Sequence, residues 1–214
     1  MRELRRRYRD RDDAGRVLGA LCREQAGPES VVLGAPRGGV VVAARVAEAL
    51  EAPLDIVLVR KLPLPFAPET AFGVIGEDGS AILDEDLVRE LRLDAETIER
   101  VKVEVLEVLK RSAAIYRAAC PAEPLRGRSV LLVDDGLATG LTMLGAVRWT
   151  RRREPARLIL AAPVASDTAH ELLSPEVDAF VCPVVDPGFV GVSAYYEEFE
   201  PVDDETVLER LRAG

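Results

Sequence analysis

The chain has 214 residues, 48% of them hydrophobic, and a formal net charge of -9 at pH 7. That is enough for one compact domain with a full core, here residues 1–214, and the acidic balance argues against nucleic acid as the main partner. No window approaches the roughly 18 uncharged apolar residues of a membrane span, and the arginine-rich opening lacks a following apolar stretch, so a cytoplasmic protein without membrane partners is expected. Cys22, Cys120 and Cys182 lie far apart without paired spacing, which predicts three free, mostly buried thiols rather than a zinc site or a disulfide framework.

In chain order, Arg5-Arg6-Arg7 reads as a solvated terminal charge run. Tyr8 to Gln25 places Ala14, Val17, Leu18 and Leu21 at helical spacing, with Asp10 or Asp12 as the cap. Ser30 to Val40 then reads as strand, small-residue turn and helix, and the turn Pro36-Arg37-Gly38-Gly39 carries a permanent cation with a bidentate fork. Leu54 to Val59 is a third strand pattern that delivers Arg60 and Lys61 to its end, where a polyanion would meet them. Three prolines within Leu62 to Glu69 predict an irregular segment. Ala71 to Ile75, the turn Gly76 to Gly79, and Ala81 to Leu83 predict a hairpin at the edge. Asp84 or Asp86 can cap a short helix, and Asp94 a longer one ending near Arg117.

Val130 to Met143 organises the chain. An apolar run ends in Asp134 and Asp135, a small-residue loop follows, and then a helix begins, which describes a buried parallel strand presenting its C-terminal end to a ligand. Carboxylates at that point suit a vicinal diol. The loop Ala138-Thr139-Gly140-Leu141-Thr142 offers two hydroxyls and successive backbone N–H groups at a helix N-terminus, a cradle for a phosphate dianion.

Beyond it, Arg151-Arg152-Arg153 complements a helix dipole. A strand is expected over Ala156 to Val164 and a helix from Ser166 or Asp167 to Leu173. His170, the only histidine, falls inside that helix and away from both cradles, so Ser-His-Asp, Cys-His and zinc mechanisms lack parts. Four of the nine Phe and Tyr residues fall between Phe189 and Phe199. A last helix is expected over Asp203 to Leu211.

The run Val130 to Met143 closely resembles the phosphoribosyl pyrophosphate motif of the type I phosphoribosyltransferases. The resemblance spans roughly residues 30 to 200 and is closest to a bacterial branch with R-K-L and Y-x-x-F landmarks. It implies a doubly wound, mostly parallel α/β sheet of about five strands with a hairpin flap, a core over about 28–165, a flexible loop over 62–70 and a C-terminal hood over about 176–200. It further implies ribose binding by Asp134 and Asp135 and 5-phosphate binding by Ala138, Thr139, Gly140, Leu141 and Thr142. Pyrophosphate would fall to Pro36, Arg37, Gly38, Gly39, Arg60 and Lys61, and the acceptor to Phe189 and Val190. Mg2+ would enter mainly through the substrate, with no direct protein ligand assigned.

The implied reaction transfers the 5-phosphoribosyl group to a nitrogen acceptor, a nucleobase in a salvage role, with release of pyrophosphate. Two departures bear on it. Hypoxanthine-guanine members carry an Asp where this chain has Ala138, so no general acid or base is assigned. Purine members place an Asp in the stretch that here reads Val192 to Tyr195, which leaves backbone groups, Asp186 or Glu197 to read the acceptor, and the aromatics either to stack on it or to pack the hood. The alternative is a module that senses phosphoribosyl pyrophosphate without turnover. A kinase-like phosphate handler lacks the G-x-x-x-x-G-K-[ST] loop. The oligomeric state is open, a homodimer included.

Overall fold

In a computed structural model of the protein, residues 8–213 are described; Arg5-Arg6-Arg7 lies outside them. The elements run α1 (Arg11–Cys22), β1 (Ser30–Gly34), α2 (Gly38–Leu50), β2 (Leu54–Ile56), β3 (Val59–Leu64), β4 (Ala67–Gly76), β5 (Ala81–Leu83), α3 (Glu85–Glu90) and α4 (Ala95–Arg117). They continue with β6 (Ser129–Val133), α5 (Leu141–Arg151), β7 (Arg157–Ala161), β8 (Ala165–Ser166), α6 (Asp167–Leu173), β9 (Ala179–Val181), β10 (Val185–Asp186) and α7 (Asp204–Ala213). Five parallel strands form the central sheet in the order β2-β1-β6-β7-β9.

Successive strand side chains point to opposite faces, and both faces of this sheet are apolar. Val32, Leu131, Val133 and Ile159 pack with Leu18, Val40, Val46 and Val207 of α1, α2 and α7. Val31, Leu33, Val130, Leu132 and Leu158 pack with Met143, Val147 and Leu173 of α5 and α6. In register Val31 stands beside Val130 and Val130 beside Leu158, so a one-residue slip would exchange the two cores wholesale.

The sheet is therefore doubly wound, and its strand order reverses between β1 and β6. After β1 the chain turns through α2 to β2 on one side, whereas after β6 it turns through α5 to β7 on the other. The loops leaving β1 and β6 diverge at that point, the crevice where open α/β sheets bind ligands.

Three sequence expectations need correction. Leu54 to Val59 is not one strand: β2 stops at Ile56, and Val59 to Lys61 already belong to the separate antiparallel sheet β3-β4-β5. Arg60 and Lys61 thus open a hairpin strand instead of closing a core strand.

Leu62 to Glu69 is not irregular either, because it forms the end of β3, a two-residue turn and the start of β4. The prolines fit because each avoids a ladder hydrogen bond. Pro63 sits at register shifts on the edge strand β3, Pro65 lies in the turn, and Pro68 lies beyond the Gly73–Ile75 stretch of β4 that pairs with β5.

Finally, Ala179–Val181, placed in the hood by the sequence reading, is the outer strand β9 of the central sheet. The hood proper begins with β10, which pairs with β8.

Side-chain caps fall as the local sequence predicts. Asp10 starts α1, Asp84 α3, Asp94 α4 and Ser166 α6, each accepting from a first-turn N–H, and Asp203 accepts from Thr206 N at the start of α7. Two helices begin without one: α2 on Arg37 and α5 on Gly140. Both point their N-termini at the crevice.

Candidate active site

Two backbone excursions meet above β1 and β6. From β1, the loop through Pro36 and Arg37, joined by a cis peptide bond, turns back so that Ala35 N donates to Val133 O at 2.9 Å. Gly38 and Gly39 then lie directly on the acidic pair. A Cβ at Gly38 would strike the Asp135 carboxylate, and one at Gly39 would come within 2.8 Å of Asp134 Oδ1. Only glycine permits this approach, which brings the two predicted cradles together as one site.

Asp134 accepts from Asp135 N at 2.9 Å. Burial, followed by the adjacent charge of Asp135, pushes the Asp134 carboxyl well above the usual Asp range. Asp135 is held differently, since Arg11 Nε donates to its Oδ2 at 2.7 Å and Tyr196 donates to its backbone oxygen at 2.6 Å. Arg11 carried no motif signal. Its place in the site comes from α1 packing along α2, a long-range contact that no local pattern encodes.

The second excursion, Gly136 to Gly140, is fixed from behind. Leu137 N donates to Val164 O at 2.9 Å, Ser166 N donates to Leu137 O at 2.9 Å, and the Ser166 hydroxyl donates to Ala138 O. Gly140 adopts φ +75°, the left-handed turn from which α5 springs. On the open side Ala138, Thr139, Leu141 and Thr142 are exposed, and the first-turn N–H groups of α5 have no capping side chain.

The predicted pyrophosphate set divides. Arg37 and Arg60 line a polar pocket of about 350 Å³ together with Pro36, Ser112, Tyr116 and Asp204. Lys61 lines another of about 370 Å³ between the hairpin and the phosphate loop, with Thr139, Thr142 and Arg148. Neighbouring residues on a strand face opposite ways, and that alternation parts Arg60 from Lys61. Lys61 Nζ reaches only Glu69 O, at 3.5 Å.

In the hood, Val192 lies against Gly136. Tyr195 is fully buried and donates to Asp186 at 2.5 Å, and Phe189 stacks on it at 5.5 Å between centroids. Tyr8, Tyr196 and Phe199 pack with them, while Val190 is 77% exposed. Asp186 also accepts from Gly188 N at 2.7 Å, so its carboxylate shapes the hood turn.

Residues 76–197 match the family model described as a phosphoribosyl transferase domain. The chain belongs to the phosphoribosyl transferase family. It is 41% identical over 201 residues to two Mycobacterium tuberculosis proteins whose names contain the words phosphoribosyl transferase; the match covers 94% of this chain and 45% of theirs, so the chain spans about half the length of those curated relatives. It is also 40% identical to the protein TT1426 from Thermus thermophilus, whose crystal structure superposes with a TM-score of 0.90 over 97% of this chain and 98% of that one.

Within the phosphoribosyl transferase fold, other expected groups fall outside the crevice. His170 packs edge-on against Phe180. The three thiols are free, and burial pushes Cys22 up to about 12 and Cys120 and Cys182 to about 11. No cluster of three metal-ligating side chains occurs among the described residues, and no helix among them is long and apolar enough to cross a membrane. With Asp135 Oδ2 tied to Arg11, the acid pair has fewer oxygens to offer a metal ion directly.

Proposed function

We propose that the chain is a phosphoribosyltransferase that transfers the 5-phosphoribosyl group of phosphoribosyl pyrophosphate to a nitrogen acceptor, a nucleobase, and releases pyrophosphate. The observation that carries this reading is the seating of Gly38 and Gly39 on Asp134 and Asp135 between two uncapped helix N-termini. One compact crevice then offers acceptors for a sugar diol and donors for an anion on either side of it.

In this reading the ribose hydroxyls bind Asp134 and Asp135. The 5-phosphate takes the N–H groups and hydroxyls of Ala138 to Thr142. Pyrophosphate lies along Pro36 to Gly39, with Arg37 and Arg60 on one flank and Lys61 reaching over from the hairpin. Magnesium, entering with the substrate, would supply charge neutralisation at the leaving group.

As pyrophosphate departs, positive charge builds on the sugar ring, as in glycoside cleavage. The oxygens of the acid pair below face that charge, and the fixed N–H groups hold both ends of the substrate in line. The hairpin tip, residues 62–70, closes over the reactants and excludes water. The acceptor docks under the hood at Phe189 and Val190, with Ala138 leaving its proton to solvent or to the phosphates.

The test is pyrophosphate release from phosphoribosyl pyrophosphate and magnesium over a panel of purine, pyrimidine and other nitrogen acceptors, with Asp134→Asn plus Asp135→Asn as control. Release that depends on one acceptor and vanishes in the control supports the transferase and names its substrate. Binding by calorimetry without release from any acceptor would put a sensing module in its place.

A further inference from the structure

Arg11 is gripped by three groups on two stretches of chain. Its Nε donates to Asp135 Oδ2 at 2.7 Å, its Nη1 donates to Glu200 O at 2.8 Å, and its guanidinium carbon stands 3.8 Å over the Phe199 ring. The Gly38 loop forms a third wall, since a Cβ there would come within 2.8 Å of Arg11 Nε. One side chain thus touches the sugar-facing acid, the pyrophosphate loop and the chain that leaves the hood.

Among the described residues the cation bonded to Asp135 holds its Oδ2, and the Asp134 carboxyl stands against the same side chain. Anchoring one oxygen fixes the plane of the carboxylate and so aims it at an incoming hydroxyl. We propose that Arg11 is a positioning residue of the ribose site: it orients Asp135 toward the sugar diol and fastens the C-terminal hood to it. The proposal rests on the phosphoribosyl reading above.

The two side chains are only 11% and 15% exposed, so water and salt screen the pair less than a surface ion pair. Three titratable or charged groups face Asp135. Arg11 comes from α1, Asp134 from the same strand end and Tyr196 from the hood, with Tyr8 behind Tyr196, while α2 offers the Gly38 backbone. Burial and the charge of Asp135 raise the Tyr196 hydroxyl, which stays neutral throughout the neutral range. Asp134, whose carboxyl is raised, is the acid beside Asp135 whose protonation a change at Arg11 would move.

With Arg11 in place, the pair divides the work: Asp135, anchored through Oδ2, accepts, while Asp134, whose carboxyl is raised, can keep a proton and donate. A diol offers one donor and one acceptor to match. Without Arg11 the pair loses its nearest positive charge and holds its proton to higher pH.

The experiment is calorimetry of phosphoribosyl pyrophosphate with magnesium against pH, on the wild type, Arg11→Met and Arg11→Lys. Arg11→Met is expected to weaken binding by up to about 100-fold, the scale of a misplaced binding group, and to move the acid limb to higher pH. Arg11→Lys should return the limb toward wild type while recovering affinity only in part, because the ammonium restores charge without the planar fork.

Wild-type affinity and an unmoved limb in Arg11→Met would overturn the proposal. So would equal losses in both variants with the limb unmoved, the mark of a purely structural contact. Failure of the wild type to bind would overturn the ribose reading itself. Side-chain carboxylate NMR without ligand then judges Arg11 separately: an upward shift of the pair in Arg11→Met supports its hold on Asp135, and no shift refutes it.

Discussion

The scaffold and the crevice treat polar groups in opposite ways. Across the scaffold, five helices begin on an Asp or Ser side chain, and buried charge is paired. Asp55 and Glu77 both bind Arg117 beside a cavity of about 700 Å³, well away from the cradles. At the crevice, α2 and α5 begin uncapped, and two carboxylates stand side by side. Asp78 and Asp134 show the contrast within one residue type. Burial opposes the charge of Asp78, yet hydrogen bonds from Ser80 and Trp149 and the charge of Arg153 outweigh it and hold the carboxyl down at about 2, whereas Asp134 is raised. The scaffold satisfies its helix starts with side chains, and the crevice leaves two of them uncapped beside its acids.

The largest expected effect lies on the scaffold side. Asp55, only 2% exposed, accepts from Arg117, Ile56 N and Glu123 N. Asp55→Ala leaves a buried guanidinium short of its partner and should cost about 3–5 kcal/mol in denaturant unfolding. Turnover per folded molecule should be unchanged; a selective loss of turnover instead would blur the division between the two regions.

Next comes Gly38→Ala, which drives a methyl into the Asp135 carboxylate. Binding of phosphoribosyl pyrophosphate in calorimetry should fall by about 100-fold or more, with much of the fold's stability retained. Wild-type affinity would mean that the loop and the acid pair do not act together.

Asp134→Asn should separate stability from function. A carboxyl whose folded pKa is raised favours the folded state most below its unfolded value of 3.8, and that advantage is lost as pH rises through the folded value. The neutral amide escapes this loss. The variant should melt higher than wild type at neutral pH, the gain should shrink toward acid, and ligand binding should fall; a melting-temperature series against pH checks all but the last, which calorimetry checks.

The smallest change is Ser166→Ala. Its hydroxyl accepts from Ala169 N at 3.0 Å, capping α6, and donates to Ala138 O. The loss should be about 1 kcal/mol of stability by thermal unfolding, with a modest weakening at the phosphate loop because its back support is thinned. A larger effect on affinity than on stability would place Ser166 with the crevice instead of the scaffold.

What could be read before the fold was known is what short stretches decide for themselves. The caps at Asp10, Asp84 and Asp94 and the strand-turn-helix units at Ser30 to Val40 and Val130 to Met143 depend on residues within a turn or two of each other, and composition and period report such order directly. Residues distant in sequence decided the rest. The break after Ile56 arises because the chain leaves one sheet for another; the parting of Arg37 and Arg60 from Lys61 follows from the alternation of side chains along β3, and the prolines of β3 and β4 are tolerated because they avoid the ladder bonds there. Arg11 is the plainest case. Nothing within α1 distinguishes it from the arginines around it, and only the packing of α1 on α2, 124 residues before its carboxylate partner, brings it to Asp135. Local sequence determined the two cradles and the acids between them, because hydrogen-bonded turns and apolar periods are short-range. The tertiary structure alone decided which cation meets the acids, because an ion pair depends on distance in space and not along the chain.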